Sequence, residues 1–275
     1  MVTEMDEVRL AGEPGDFTGR WDPALMRRVV AALRPIAKGW HRSEVRGLDR
    51  MPEGGALIVA NHSGGFFAMD IPVFAIDFLE HFGYDRPLYS LGHDVLFRGP
   101  QADLLVRAGL VRATRENAEQ ALRSNAPLIV FPGGDYDAYR PTTSTNVVDF
   151  GNRTGYVRTA LEAGVPIVPT VSIGGQENQI FLSRGQWLAK ALGLRRFRIG
   201  ILPITLGVPF GLSVLALPLN LPLPTKIVTE VLEPIDIVRR FGENPDISEV
   251  DAHVRDVMQT ALNRLAAERR LPLLG

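Results

Sequence analysis

The chain contains no cysteine. Disulfides, thiolate nucleophiles and cysteine-based zinc sites are therefore excluded together, and the composition agrees with a reducing, cytoplasmic setting. Histidine is scarce as well. His41, His62, His81, His93 and His253 show no close metal-ligand spacing, so no metal or other cofactor is expected. Neither sign of charge dominates: 30 Lys and Arg against 31 Asp and Glu leave a net charge of −1, which offers no global field for nucleic acid. There is no Gly-x-Ser-x-Gly elbow, no Walker loop and no dinucleotide-binding glycine fingerprint, which disfavours an α/β-hydrolase and the common nucleotide-binding folds. Residues 1–22 are polar and acidic and lack the basic start and apolar run of a signal peptide. They predict a partly disordered or loosely packed start.

What is present is a chain of 275 residues, 45% hydrophobic, ample for one sizeable core. Residues 56–60, 127–131 and 165–171 are short, nearly continuous apolar runs, the pattern of strands buried on both faces. Further strands are predicted at 87–91 and 226–232. Helical patterns cover 71–82, 102–108, 115–123, 154–163 (stopping at Gly164) and 250–268. Residues 22–38 read as a helix with Asp22 as N-cap and Pro23 in the first turn. Its apolar stripe, interspersed with Arg27, Arg28, Arg34 and Lys38, fits either a core-packed helix or one lying on an anionic membrane. Strands alternating with helices predict an α/β fold: a central, mostly parallel mixed sheet flanked by helices, with an N-terminal helical extension. The division is residues 1–40 as extension and amphipathic helix, and 41–275 as the main domain.

Residues 199–225 carry no charge. A bilayer-spanning helix needs roughly 20 apolar residues, but five prolines and three glycines interrupt this stretch, so a spanning helix is not expected. Arg195, Arg196 and Arg198 stand immediately before it. The segment reads either as a surface dipping into the headgroup region of a membrane or as a buried strand–loop–strand.

Two segments carry candidate chemistry. Asn61-His62-Ser63-Gly64-Gly65 follows the strand 56–60, and ligands gather at strand ends in α/β sheets. Glycines there allow close backbone approach to a substrate, and a histidine has the pKa range of a general base. Asp70 is the nearest downstream carboxylate that could orient it. The alternative is that His62 merely caps a turn or the next helix. The second segment, Phe131-Pro132-Gly133-Gly134-Asp135-Tyr136-Asp137-Ala138-Tyr139-Arg140, opens a strand into a glycine pair, acids and an arginine. It is either an anion-binding nest with an arginine grip or an ordinary Gly-Asp turn.

In order, Asn-His after a strand, Phe-Pro-Gly-Gly, then Val-Pro-Ile-Val-Pro at 165–169 is similar to the lysophospholipid/glycerolipid acyltransferase superfamily, that of the 1-acylglycerol-3-phosphate acyltransferase-like proteins. Residues 131–178 resemble its monoacylglycerol and diacylglycerol acyltransferase branch. There Pro-Gly-Gly precedes a Gly-Phe/Tyr-Val-Arg-x-Ala-Leu helix and a Val-Pro-x-x-x-x-Gly strand. This chain has Gly155-Tyr156-Val157-Arg158-Thr159-Ala160-Leu161, then Val165 through Gly174.

The resemblance covers roughly 46–234. It implies transfer of an acyl group from acyl-CoA, as substrate, or from acyl carrier protein to a hydroxyl of a glycerolipid or lysophospholipid. It also implies a peripheral protein on the cytoplasmic face of a membrane. His62 is then the base and Asp70 its orienting acid. Ser63, Gly64, Gly65, Gly133, Gly134, Asp135 and Asp137 line the substrate, and Arg140 and Arg158 hold anionic groups, with Arg98 and Arg112 as weaker candidates. Two departures stand out. The family places the acid after four intervening residues, but position 67 is Phe here and Asp70 follows seven intervening residues. The widespread Phe-Pro-Glu-Gly is Phe-Pro-Gly-Gly, with Asp137 the best-aligned later acid and Asp135 the alternative. The rival readings are a non-catalytic lipid-binding protein and a thioester or lipid hydrolase on the same scaffold.

Overall fold

The computed structural model describes residues 20–62, 68–197, 200–214, 220–269 and 271. The expectations for the first residues, and for Ser63, Gly64, Gly65 and Arg198, fall outside them. The strands of the main sheet are β1 (Glu44–Arg46), β2 (Ala56–Ala60), β3 (Tyr89–Gly92), β4 (Leu110–Arg112), β5 (Pro127–Val130) and β6 (Ile167–Ile173), joined late in the chain by β10 (Val228–Val231). A second, smaller sheet holds β7 (Ile180–Ser183), β8 (Ile204–Gly207) and β9 (Gly211–Val214). The helices are α1 (Pro23–Arg34), α2 (Asp70–Phe82), α3 (Ala102–Arg107), α4 (Arg115–Arg123), α5 (Gly134–Ala138), α6 (Gly155–Ala163), α7 (Gln186–Ala191), α8 (Ile237–Phe241) and α9 (Ile247–Glu268).

The main sheet runs β1-β10-β6-β2-β5-β3-β4. From β6 to β4 every neighbouring pair is parallel, whereas β10 lies antiparallel to β6 and takes β1 with it. The fold is thus α/β with a mostly parallel mixed sheet, flanked by helices and preceded by an N-terminal helix. β2 sits between β5 and β6, and all five of its residues are buried. That explains its unbroken apolar run, since a central parallel strand is covered on both faces. Leu57 and Val59 join the core beneath α4, α6 and α9. Ala56 and Ile58 join the opposite core with Met26 and Val30 of α1 and Val73, Phe74 and Phe78 of α2. α1 begins as its sequence predicts, with Asp22 accepting from the Leu25 N–H at 2.9 Å and Pro23 at the first position. Its buried side chains belong to the sheet core, and a π-helical turn, Pro35–Trp40, continues it. α6 ends at Gly164 in the left-handed region, φ +65°, a conformation that favours glycine.

No helix among the described residues is long and apolar enough to cross a membrane. The uncharged stretch instead supplies the hairpin of β8 and β9, paired through β8 to β7. It is a strand–turn–strand as one reading expected, but only one of its faces is buried.

Candidate active site

The carboxyl ends of β2, β3, β4 and β5 lie along one edge of the parallel sheet, the edge at which ligands of open α/β sheets bind. β2 delivers Asn61 and His62 there. The Asn61 side-chain amide donates to the Ser172 carbonyl at 2.9 Å and accepts from the Ser172 N–H at 2.8 Å. Fully paired in both directions, it extends the β2–β6 ladder past Ala60 and fixes where the chain turns into His62. The sequence named Asn61 only as part of a motif. An amide at the end of a buried strand was the available signal for its clamping role.

The His62 imidazole meets the Asp70 carboxylate, Nδ1 to Oδ2, at 3.0 Å. Asp70 is buried and is the first residue of α2, where the helix dipole favours its negative charge. An ionised carboxylate only accepts, so this contact assigns the proton to Nδ1 and makes Nε2 the basic nitrogen. One face of the imidazole leans on Phe131, with ring centroids 4.3 Å apart and planes inclined at 30°.

The main chain at His62 is held as well. Its N–H donates to Asp137 Oδ2 at 2.6 Å. Asp137 and Arg140 form an ion pair in which both side chains are buried. Arg140 also donates to the Val147 carbonyl, and its own carbonyl accepts from Gln176 Nε2 at 2.8 Å. Burial pushes the Asp137 carboxyl up to about 6, opposed by the charge of Arg140 and the N–H of His62. Arg140 was expected to hold an anionic group. It is 2% exposed, and its guanidinium serves Asp137 and the main chain in this structure.

The glycine pair is shaped by packing. A Cβ on Gly133 would lie 2.3 Å from Asp137 Cβ and 2.7 Å from the Asp149 carbonyl oxygen. The Gly134 N–H is spent on the Phe131 carbonyl at 3.0 Å. Arg153, which the sequence reading did not single out, donates to the Gly133 carbonyl at 2.9 Å and to Asp135 at 3.3 Å. Asp135 is therefore at the surface of the turn, apart from the His62–Asp70 pair. Arg112 ends β4 on the same sheet edge as His62, 3.8 Å from Asp94 and beside the Phe97 ring. Arg98 and Arg158 are exposed.

Comparison with known proteins agrees with this architecture. Residues 42–173 match the family model described as Acyltransferase. An uncharacterized protein of Mycobacterium tuberculosis is 32% identical over 276 residues, covering 97% of this chain and 74% of that protein. The human protein named DGAT1/2-independent enzyme synthesizing storage lipids is 32% identical over 200 residues, covering 70% of this chain and 57% of its own length. Among solved structures, the 1-acyl-sn-glycerophosphate (LPA) acyltransferase PlsC from Thermotoga maritima shares the fold. It superposes with a TM-score of 0.54 at 20% identity, over 90% of this chain and 83% of that one. With the sheet edge, its histidine and the Phe-Pro-Gly-Gly turn all within or at the matched region, the chain belongs to the acyltransferase family.

Proposed function

We propose that the protein transfers a fatty acyl group from acyl-CoA, or from an acyl carrier protein, to the hydroxyl of a glycerolipid or lysophospholipid, with His62 as general base. The reading is carried by the 3.0 Å contact between His62 and the buried Asp70 at the carboxyl edge of the sheet. His62 Nε2 takes the proton of the acceptor hydroxyl as its oxygen attacks the thioester carbonyl. Asp70 fixes the tautomer and stabilises the imidazolium. The tetrahedral oxyanion collapses, the C–S bond breaks, and the leaving thiolate receives the proton from the imidazolium. A backbone N–H donor is worth roughly 3 kcal/mol to the oxyanion, and Gly133 is the candidate for it among the described residues. The name of the human relative, an enzyme synthesizing storage lipids, favours an acceptor that acylation turns into a storage lipid. We take the protein to act peripherally, on the cytoplasmic face of a membrane that holds such substrates.

Incubation with labelled acyl-CoA, with and without lysophospholipid or monoacylglycerol, tests this directly. The proposal expects ester formation that depends on the acceptor. Free fatty acid without ester identifies a hydrolase, and lipid binding with no thioester consumption identifies a binding protein. Either outcome overturns the proposal.

A further inference from the structure

Antiparallel strands place directly paired residues on the same face, and in the small sheet this sorts the side chains the wrong way round for a water-soluble surface. The paired trio Phe181, Thr205 and Ser213 faces inward. Thr205 is 1% exposed, and its hydroxyl lies 2.7 Å from that of Ser213. Buried Asn220 reaches both hydroxyls at 3.5 and 3.4 Å, and its carbonyl accepts from Gln179 at 2.8 Å. The opposite trio, Ile180, Leu206 and Leu212, faces outward with the pair Ile204 and Val214. Leu212 is 64% exposed, and at the hairpin tip Val208 and Phe210 are 71% and 60% exposed. An ordinary sheet with one wet face alternates apolar inside and polar outside. This one keeps its hydroxyls and amides inside and its aliphatic side chains outside.

Charge on the same part of the chain is one-sided. Residues 178–229, which span β7, α7, β8, β9 and part of β10, contain no Asp or Glu. They contain Arg184, Lys190, Arg195, Arg196, Arg198 and Lys226, in a protein whose net charge is −1. Lys226 is matched by Glu44 at 3.6 Å, whereas Lys190 projects from α7 on the helix that also exposes Trp187. A contiguous apolar face marks an interaction surface. An aliphatic face within an acid-free, cation-bearing segment matches an anionic bilayer, where apolar side chains enter the headgroup boundary and cations meet the lipid charge.

We propose that the outer face of the β7–β8–β9 sheet, with the tip residues Val208 and Phe210, is the surface by which the protein docks on an anionic lipid bilayer. The proposal rests on the lipid-acceptor reading for its purpose and on the inverted strand pattern for its location. Protein interfaces carry a polar rim and bridging hydrogen bonds. The uncharged run of 199–225 supplies little for either, which favours lipid over a second copy of the chain.

The test is sedimentation with vesicles of phosphatidylglycerol and phosphatidylcholine at low salt, against phosphatidylcholine alone. Wild type is expected to bind the anionic vesicles and to be released by salt. The double variant Leu206→Ser, Leu212→Ser removes apolar groups from an already wet face. It should keep the wild-type Tm while its vesicle partition falls about tenfold or more. Equal partition of wild type and double variant overturns the proposal. So does a change from dimer to monomer in the variant without a change in vesicle binding, which makes a second copy the occupant.

Because the chain has no cysteine, Leu212→Cys gives a single attachment point for an environment-sensitive fluorophore. Its emission should shift to the blue on anionic vesicles, and an unshifted spectrum overturns the proposal even if the double variant does not fold. Neither readout uses catalysis. Vesicle binding without acyl transfer therefore sinks the acyltransferase reading alone. Acyl transfer to a water-soluble acceptor without vesicle binding sinks the docking surface alone.

Discussion

The Asp70 carboxylate reaches Nδ1 of His62 at 3.0 Å although seven residues separate the two in the chain. The contact is made from the first residue of α2, so the helix N-terminus brings the acid to the histidine that ends the β2 segment. Asp70→Asn keeps the shape but offers an amide where an acceptor is needed, and disfavours the productive tautomer. Turnover should fall roughly 1000-fold with little change in KM. Steady-state kinetics with acyl-CoA decide this, and a loss smaller than about tenfold would remove Asp70 from the mechanism.

The Asn61 clamp predicts a stability effect. Asn61→Ala leaves both the N–H and the carbonyl of buried Ser172 without their side-chain partner. The expected cost is about 2–4 kcal/mol, seen as a lower urea midpoint with unchanged slope. A cost below roughly 0.5 kcal/mol would mean that the clamp contributes no more than an ordinary surface position.

Asp137 predicts a pH dependence with a definite sign. Its folded value, about 6, lies above the ordinary 3.8, so between these values the native state holds the proton more tightly than the unfolded chain. Its contribution to stability is complete below about pH 4 and is lost as pH rises to about 6. Asp137→Asn removes this titration and leaves Arg140 buried without its partner. The Tm difference between wild type and Asp137→Asn should therefore narrow from pH 4 to 6 and stay constant above. A difference that widens over this interval contradicts the assignment.

Gly133 is required by space. Gly133→Ala puts a Cβ 2.3 Å from Asp137 Cβ, which displaces the group that holds the His62 N–H. A loss of about 1–3 kcal/mol together with reduced turnover is expected. Gly155→Ala, with nothing within 4 Å of the new Cβ, should leave both unchanged. Comparable behaviour of the two variants, in thermal melts and activity, would refute the steric account.

The parallel core was legible because its strands need no partner to be recognised. β2 and β5 are unbroken apolar runs, and α6 announces its end at Gly164. β1 and β4 were not, because three-residue strands carrying Glu44, Arg46 and Arg112 are strands by virtue of their neighbours. The small sheet was legible only in part: one reading of 199–225 gave the strands of its hairpin, but not β7 or the outward aliphatic face, which inverts the rule by which strands are read. In the site, His62 stood out by its place after β2. The fate of Arg140 was hidden, because only the fold shows that Asp137 takes up its charge. Asn61 was visible as a letter, but its clamp depends on Ser172 in a strand more than a hundred residues away.

If His62 is the base, the kcat of His62→Ala on acyl-CoA with a glycerolipid acceptor falls roughly 100-fold or more with a Tm close to wild type. Near-normal turnover in a folded His62→Ala protein would contradict it.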